Sequence, residues 1–209
     1  MAGIETTELA SKKLTLQKCL QKSFRNVFLL IDPLESALKQ TLPKVESLAN
    51  LMDQFECCSA IKSNVEPVCT TFPDLVPRLL AKIAEEILQI TQDLTKAIIV
   101  IKETQEKFSK YHDVAMRLYH KCLTSVDFHT MTAVSPMTPS IADMMEWLED
   151  ADAQLYEHYY YKLHLLEDIV NKKVNSSNLV QKWTDQDQEI IKKIKDHLFF
   201  VKLFVEEDL

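Results

Sequence analysis

A chain of 209 residues, 46% hydrophobic and 26% charged, is long enough to bury one ordinary core and has the balance of a folded, soluble protein. Its single glycine, Gly3, excludes phosphate-cradling loops, dinucleotide-binding turns and most hairpins, because each needs backbone geometry that glycine alone adopts readily. The net charge of −7 and sequence pI of about 5.4 argue against nucleic acid as a direct partner, since phosphate binding runs on clustered lysine and arginine.

The expected fold class is all-α: an elongated, coiled-coil-like bundle of about four to six helices with one very long central helix, in a single domain spanning 1–209. The N-terminal helices occupy 1–63. The first starts near Thr6 or Thr7 and carries Leu16, Leu20, Phe24, Val27 and Ile31 on one face to about Ile31. Asp32-Pro33-Leu34-Glu35 reads as a helix restart, with aspartate as N-cap and proline in the first turn. Pro43 adds a second break or kink. Leu48, Leu51, Met52 and Phe55 continue the stripe to about Ile61. Residues 64–77, with three prolines, are expected to form an inter-helix loop.

The long helix is placed at 77–123. Ile83, Ile87, Ile90, Leu94, Ala97, Ile101, Thr104, Phe108, Tyr111, Ala115, Leu118 and Cys122 recur in alternating steps of four and three, a heptad seam with one polar member, Thr104. Such a seam serves one rod of an intramolecular bundle or an intermolecular coiled coil equally well. Residues 124–138 read as a loop. A capped amphipathic helix follows over 139–174, with Thr138 as cap and Pro139 in the first turn, or Ser140 with Asp143 as the alternative capping pair. Ile141, Met144, Met145, Leu148, Ala151, Leu155, Tyr159, Leu163, Leu166 and Val170 form its core stripe. Polar residues 171–182 end it. A last helix over 184–206 starts near Thr184 or Asp185 and carries Ile190, Ile191, Ile194, Leu198, Val201 and Val205, before the acidic close EEDL.

Catalytic constellations are hard to find. The histidines, at 112, 120, 129, 158, 164 and 197, form no HExxH helix, and His112 and His120 sit two turns apart. Cys122 with His129 lacks an activating context. The five cysteines form no CxxC pair and read as reduced, mostly buried thiols of a cytosolic or nuclear protein. No secretory core, myristoylation site or membrane span is expected. The reading is therefore a non-enzyme without metal or cofactor. Ser135-Pro136 and Thr138-Pro139 fit proline-directed phosphorylation, and Ser140 and Thr184, each with aspartate three residues on, fit acidophilic kinases. All four positions also suit helix starts.

At about 100° per residue, Trp147, His158, Tyr161 and Leu165 fall together on one flank beside the core stripe of the 139–174 helix. That flank meets a second neighbour, either a helix of this chain or another protein. Asp143, Glu146, Trp147, His158, Tyr161 and Leu165 are the candidate partner-binding residues, tryptophan and tyrosine being favoured interface anchors.

Ala133-Val134-Ser135-Pro136, then Ser140-Ile141-Ala142-Asp143-Met144-Met145-Glu146-Trp147-Leu148, then Tyr159 to Ile169, closely resemble the signature of the AIRIM family of AAA-ATPase-interacting ribosome maturation factors. Phe72-Pro73-Asp74-Leu75 before the long helix and the closing Phe199-Phe200 are similar too. The similarity covers most of the chain. The resemblance implies an all-helical, non-catalytic adaptor that joins a second small helical protein and a pair of related two-ring AAA ATPases. It implies indirect association with large ribosomal subunit precursors, release of recycled factors from them in the cytoplasm, and protein turnover at replication forks in the nucleus. ATP hydrolysis would belong to the partner. The sequence departs from the family pattern in extra residues at about Met137 to Pro139 and in a segment around Tyr160-Tyr161 that is less basic. The alternative from another class is a self-associating structural coiled coil or tethering protein.

Overall fold

The computed structural model describes residues 2–60, 71–123, 128–135 and 138–207, with side chains considered from Ser11 onward except at 123 and 128. Among these the chain is all-α. Six helices follow in order: α1 (Ala2–Ala60), α2 (Leu75–Leu123), α3 (Phe128–Thr132), α4 (Ile141–Val170), α5 (Ser176–Thr184) and α6 (Asp187–Glu206). Cys69, Pro136, Met137, the acidic end at 208–209 and the loop residues up to 70 lie outside the described residues.

The expected restart at Asp32-Pro33 and the break at Pro43 do not occur, because α1 runs unbroken for 59 residues. A proline inside a helix costs about 3 kcal/mol and leaves one carbonyl without its donor. Pro33 and Pro43 both sit on the exposed side, where water can serve a carbonyl that proline does not. The buried side carries Leu16, Leu20, Phe24, Val27, Ile31, Leu34, Leu38, Val45 and Leu48 in one helical register across both prolines. Each is worth about 1.5–3 kcal/mol of burial, so the continuous stripe outweighs the two interruptions. The longest helix is therefore α1, and α2 with its 49 residues is second.

Other boundaries also move. α2 starts at Leu75, and α3 forms within the stretch read as loop and buries Met131. Part of the polar stretch 171–182 is helical: α5 buries Leu179 and Trp183, an i,i+4 pair on one face. The left-handed turns that flank α5 are made without glycine, by Lys172 (φ 56°) and Gln186 (φ 65°). Thr184 caps nothing ahead of α6; it ends α5 and donates its hydroxyl to the Val180 carbonyl at 3.0 Å. On α4, Val170 is exposed and Ile169 is buried in its place. Of the cysteines described, Cys122 is buried, Cys19 and Cys58 are half-buried and Cys57 is exposed, fewer buried thiols than expected.

The chain packs as two compact units. Unit 1 comprises residues 1–35, 101–159 and 186–209. In it segments of α1, α2, α4 and α6 form a ring of antiparallel neighbours. The Cys122 thiol donates to the Lys12 carbonyl at 3.6 Å, tying α2 to α1. Gln105 donates to Asp152 at 3.0 Å, tying α2 to α4. On α1, Gln21 donates to the Phe204 carbonyl at 3.0 Å and Arg25 to the Val205 carbonyl at 2.8 Å, serving the last turn of α6, which has no intrahelical donors left. Unit 2 comprises residues 36–100 and 160–185. There Trp183 of α5 is wholly buried and donates its indole N–H to the Thr41 hydroxyl at 2.9 Å. The buried Lys162 ammonium stands 5.0 Å from the Trp183 ring centroid, a cation–π contact. Lys44 of α1 meets Asp93 of α2 at 3.0 Å.

Every member of the heptad seam from Ile83 to Cys122 is buried or half-buried within the chain. The bundle reading of the seam accounts for this burial.

Candidate functional site

The site is built around the first turns of α4 in unit 1. Ser140, nearly inaccessible, accepts the Asp143 amide on its hydroxyl oxygen at 3.0 Å. It is the N-cap, so the capping role falls to Ser140 rather than Thr138. Just before it, Ser135 and Thr138 bond to each other: the Ser135 amide donates to the Thr138 carbonyl at 3.0 Å, and the Thr138 amide to the Ser135 hydroxyl at 3.0 Å. The Thr138 hydroxyl lies 3.5 Å from the Glu207 carboxylate.

Nearly two turns into α4, half-buried Trp147 lies flat on His197 of α6, with ring centroids 5.2 Å apart and an interplanar angle of 13°. Phe200 follows on the same ring at 5.8 Å, and Phe199 stands edge-on to Phe200 at 6.0 Å. α4 and α6 run antiparallel here, since Asp150 pairs with Lys193 at 3.0 Å one turn further along. Between them opens a groove of about 600 Å³, lined mainly by Val134, Pro139, Trp147, Phe199, Phe200 and Leu203, with Ser135, Thr138, Asp143 and Lys202 at its polar edge. Its apolar members remain largely in solvent: Val134 is 70% exposed, Phe199 75%, Phe200 59% and Leu203 48%. Burial pushes the His197 imidazole below its usual pKa, Lys193 adds to this, and Asp150, Asp196 and Glu146 oppose it. The ring under Trp147 is thus held towards its neutral, stackable form.

The six partner-binding candidates are dispersed. Asp143 and Trp147 line the groove and Glu146 is exposed beside them. His158 is buried, its Nε2 2.9 Å from the Asp187 carboxylate at the start of α6. Leu165 is buried in unit 2, and the Tyr161 hydroxyl donates to the Lys182 carbonyl at 2.9 Å. His158 and Leu165 thus serve the interior, and a partner has no access to them. The flank looked uniform because a helical wheel projects away the axis, whereas the neighbouring segments change along it. Of the four phosphorylation positions, Ser135 is exposed, Thr138 and Thr184 are half-exposed, and Ser140 is closed off by its capping role. Sequence reasoning noted Phe199 and Phe200 but not that they are exposed. The signal was their position off the Ile190, Ile194, Leu198, Val201 stripe of α6.

Nothing in this geometry resembles reactive chemistry. Among the described residues no group of three or more His, Cys, Asp and Glu could hold a metal ion, and no helix is long and apolar enough to cross a membrane. The Cys122 thiol is raised above its usual pKa by burial, the reverse of an activated nucleophile, and His129 is exposed on α3.

A family model described as "Ribosome biogenesis protein C1orf109-like" matches residues 14–203, which include all of the groove. The chain is 27% identical over 196 residues to a Mus musculus protein named "AFG2-interacting ribosome maturation factor", covering 93% of this chain and 90% of that one. The Homo sapiens protein of that name is 27% identical over 201 residues, covering 93% and 97%. The Danio rerio protein is 26% identical over 157 residues, covering 75% and 74%. A match across nearly the whole length, together with an all-α fold whose exposed apolar groove lies at the signature helix, identifies the chain as a member of the C1orf109-like family of ribosome biogenesis proteins.

Proposed function

We propose that this chain is a non-catalytic adaptor in ribosome maturation, and that the Trp147–Phe200 groove is the surface by which it engages a AAA ATPase of the AFG2 kind. The observation that carries the proposal is the exposed aromatic groove between α4 and α6 of unit 1. Aromatic side chains left in water at a concave surface mark protein-interaction sites. The relatives' names supply the class of partner. A second small helical adaptor, with indirect association with large-subunit precursors, completes the assembly. The work is placed in both cytoplasm and nucleus, with protein turnover at the replisome as a further role. Hydrolysis of ATP is assigned to the partner, in keeping with a chain that has one glycine and no phosphate-cradling loop.

The test is co-purification of the full chain carrying Trp147→Ala with Phe200→Ala. The ATPase is expected to fall about tenfold or more in recovery, as for loss of central aromatic anchors, while circular dichroism stays helical. Undiminished recovery from a folded double variant removes the groove from the interface.

A further inference from the structure

We infer that the groove receives a basic amphipathic helix of a partner protein, apolar on the face that enters and rich in lysine or arginine on its flanks. The inference rests on the reading of the groove as a partner-binding surface and adds the chemistry of its occupant.

The shape selects a helix. Six of the ten lining residues stand on two antiparallel helices, α4 and α6, whose backbone groups away from the helix ends are used within each helix. Neither helix offers an edge to which an extended peptide could bond. A helix brings its own backbone satisfied and can lay side chains at i, i+3, i+4 and i+7 between the walls. A compact small molecule would meet a groove four of whose apolar members, Val134, Phe199, Phe200 and Leu203, stay about half or more in solvent, unlike the enclosed pockets that hold such ligands.

The charge selects a basic one. Asp143 lines the groove, and exposed Glu146 precedes Trp147 on the same wall. On the other wall Glu206 follows Leu203 by one turn, and Glu207 reaches the Thr138 hydroxyl at the rim. Asp196 and Glu146 adjoin His197 and Trp147 in sequence, and both are exposed. Against these stands one ammonium in the lining, Lys202. Nearby Lys193 is engaged by Asp150 at 3.0 Å and Lys195 by Glu35 at 2.6 Å, while Lys192 lies further along α6, beyond the lining. An apolar floor with an acidic rim complements a helix with a leucine-like stripe and cationic borders.

The test uses two fluorescein-labelled helical probes of about 18 residues, five turns, titrated into the full chain. Both carry leucine on one face; one carries lysine elsewhere and the other glutamate. The lysine probe should bind about tenfold or more tighter, with affinity falling as salt rises. Trp147→Ala with Phe200→Ala should abolish its binding, and Glu146→Lys with Glu206→Lys should remove the preference. Equal binding of the two probes overturns the inference, and so does a preference that survives both variants, which would reflect only the overall negative charge. If ATPase recovery depends on Trp147 and Phe200 while the probes bind equally, the groove reading stands and the basic-helix inference falls. If the lysine probe is preferred while ATPase recovery ignores both aromatics, the inference stands and that assignment of function falls.

Discussion

The two tryptophans sit in opposite circumstances. Trp183, in unit 2, is 1% exposed, donates its indole N–H to Thr41 and has the Lys162 ammonium beside its ring. Every face of it is used by the chain. Trp147, in unit 1, has one face covered by His197 and its rim by Phe200, borders the core near Phe24 and Phe108, and is left half-buried at a groove of exposed apolar residues. A large aromatic ring is normally where folding gains most. The second site, left partly open, is the one that the proposed partner surface requires.

The widest separation between the sites should come from truncation. Trp183→Ala should cost about 3–5 kcal/mol, the range for emptying a buried aromatic site, read as a lowered midpoint of urea unfolding. Trp147→Ala should cost well under half of that while carrying the larger loss of partner capture. Equal destabilisation by the two would erase the distinction. Next in size is Ser140→Ala, which removes the N-cap of α4 and should cost about 1 kcal/mol, against almost nothing for Thr138→Ala; a reversed order would return the cap to Thr138.

The smallest effect is a pH dependence. Burial depresses the folded-state pKa of His197, so the unfolded chain binds its proton first. The stability that depends on neutral His197 is complete above the unfolded value of about 6.5 and is lost as the pH falls from there towards the lower folded value. His197→Phe should flatten that part of the stability profile and keep a ring beneath Trp147. An unchanged acid slope in the variant would show that the stack is indifferent to the charge on the imidazole.

The residues reveal some of this unaided and conceal the rest for identifiable reasons. The α2 seam and the apolar stripes of α4 and α6 were readable because a single period governs long runs of each. The unbroken course of α1 was not, because Pro33 and Pro43 are local signals, whereas their cost is offset by a stripe that stretches far to either side. α5 was hidden because only Leu179 and Trp183 of its nine residues are buried. Of the partner-binding candidates, Asp143 and Trp147 line the groove and Glu146 is exposed beside it. His158 was assigned to the surface because nothing local announces that Asp187 will come within 2.9 Å of it.

The ties at the two ends of α6 bear on the proposed docking. At its start Asp187 stands 2.9 Å from His158 of α4, and at its end Gln21 and Arg25 of α1 donate to the Phe204 and Val205 carbonyls. Phe199 and Phe200 are carried between these anchors within unit 1. A partner proposed for the groove would meet a wall already held in place, so less conformational freedom would be lost on binding and more of the contact energy would remain as affinity.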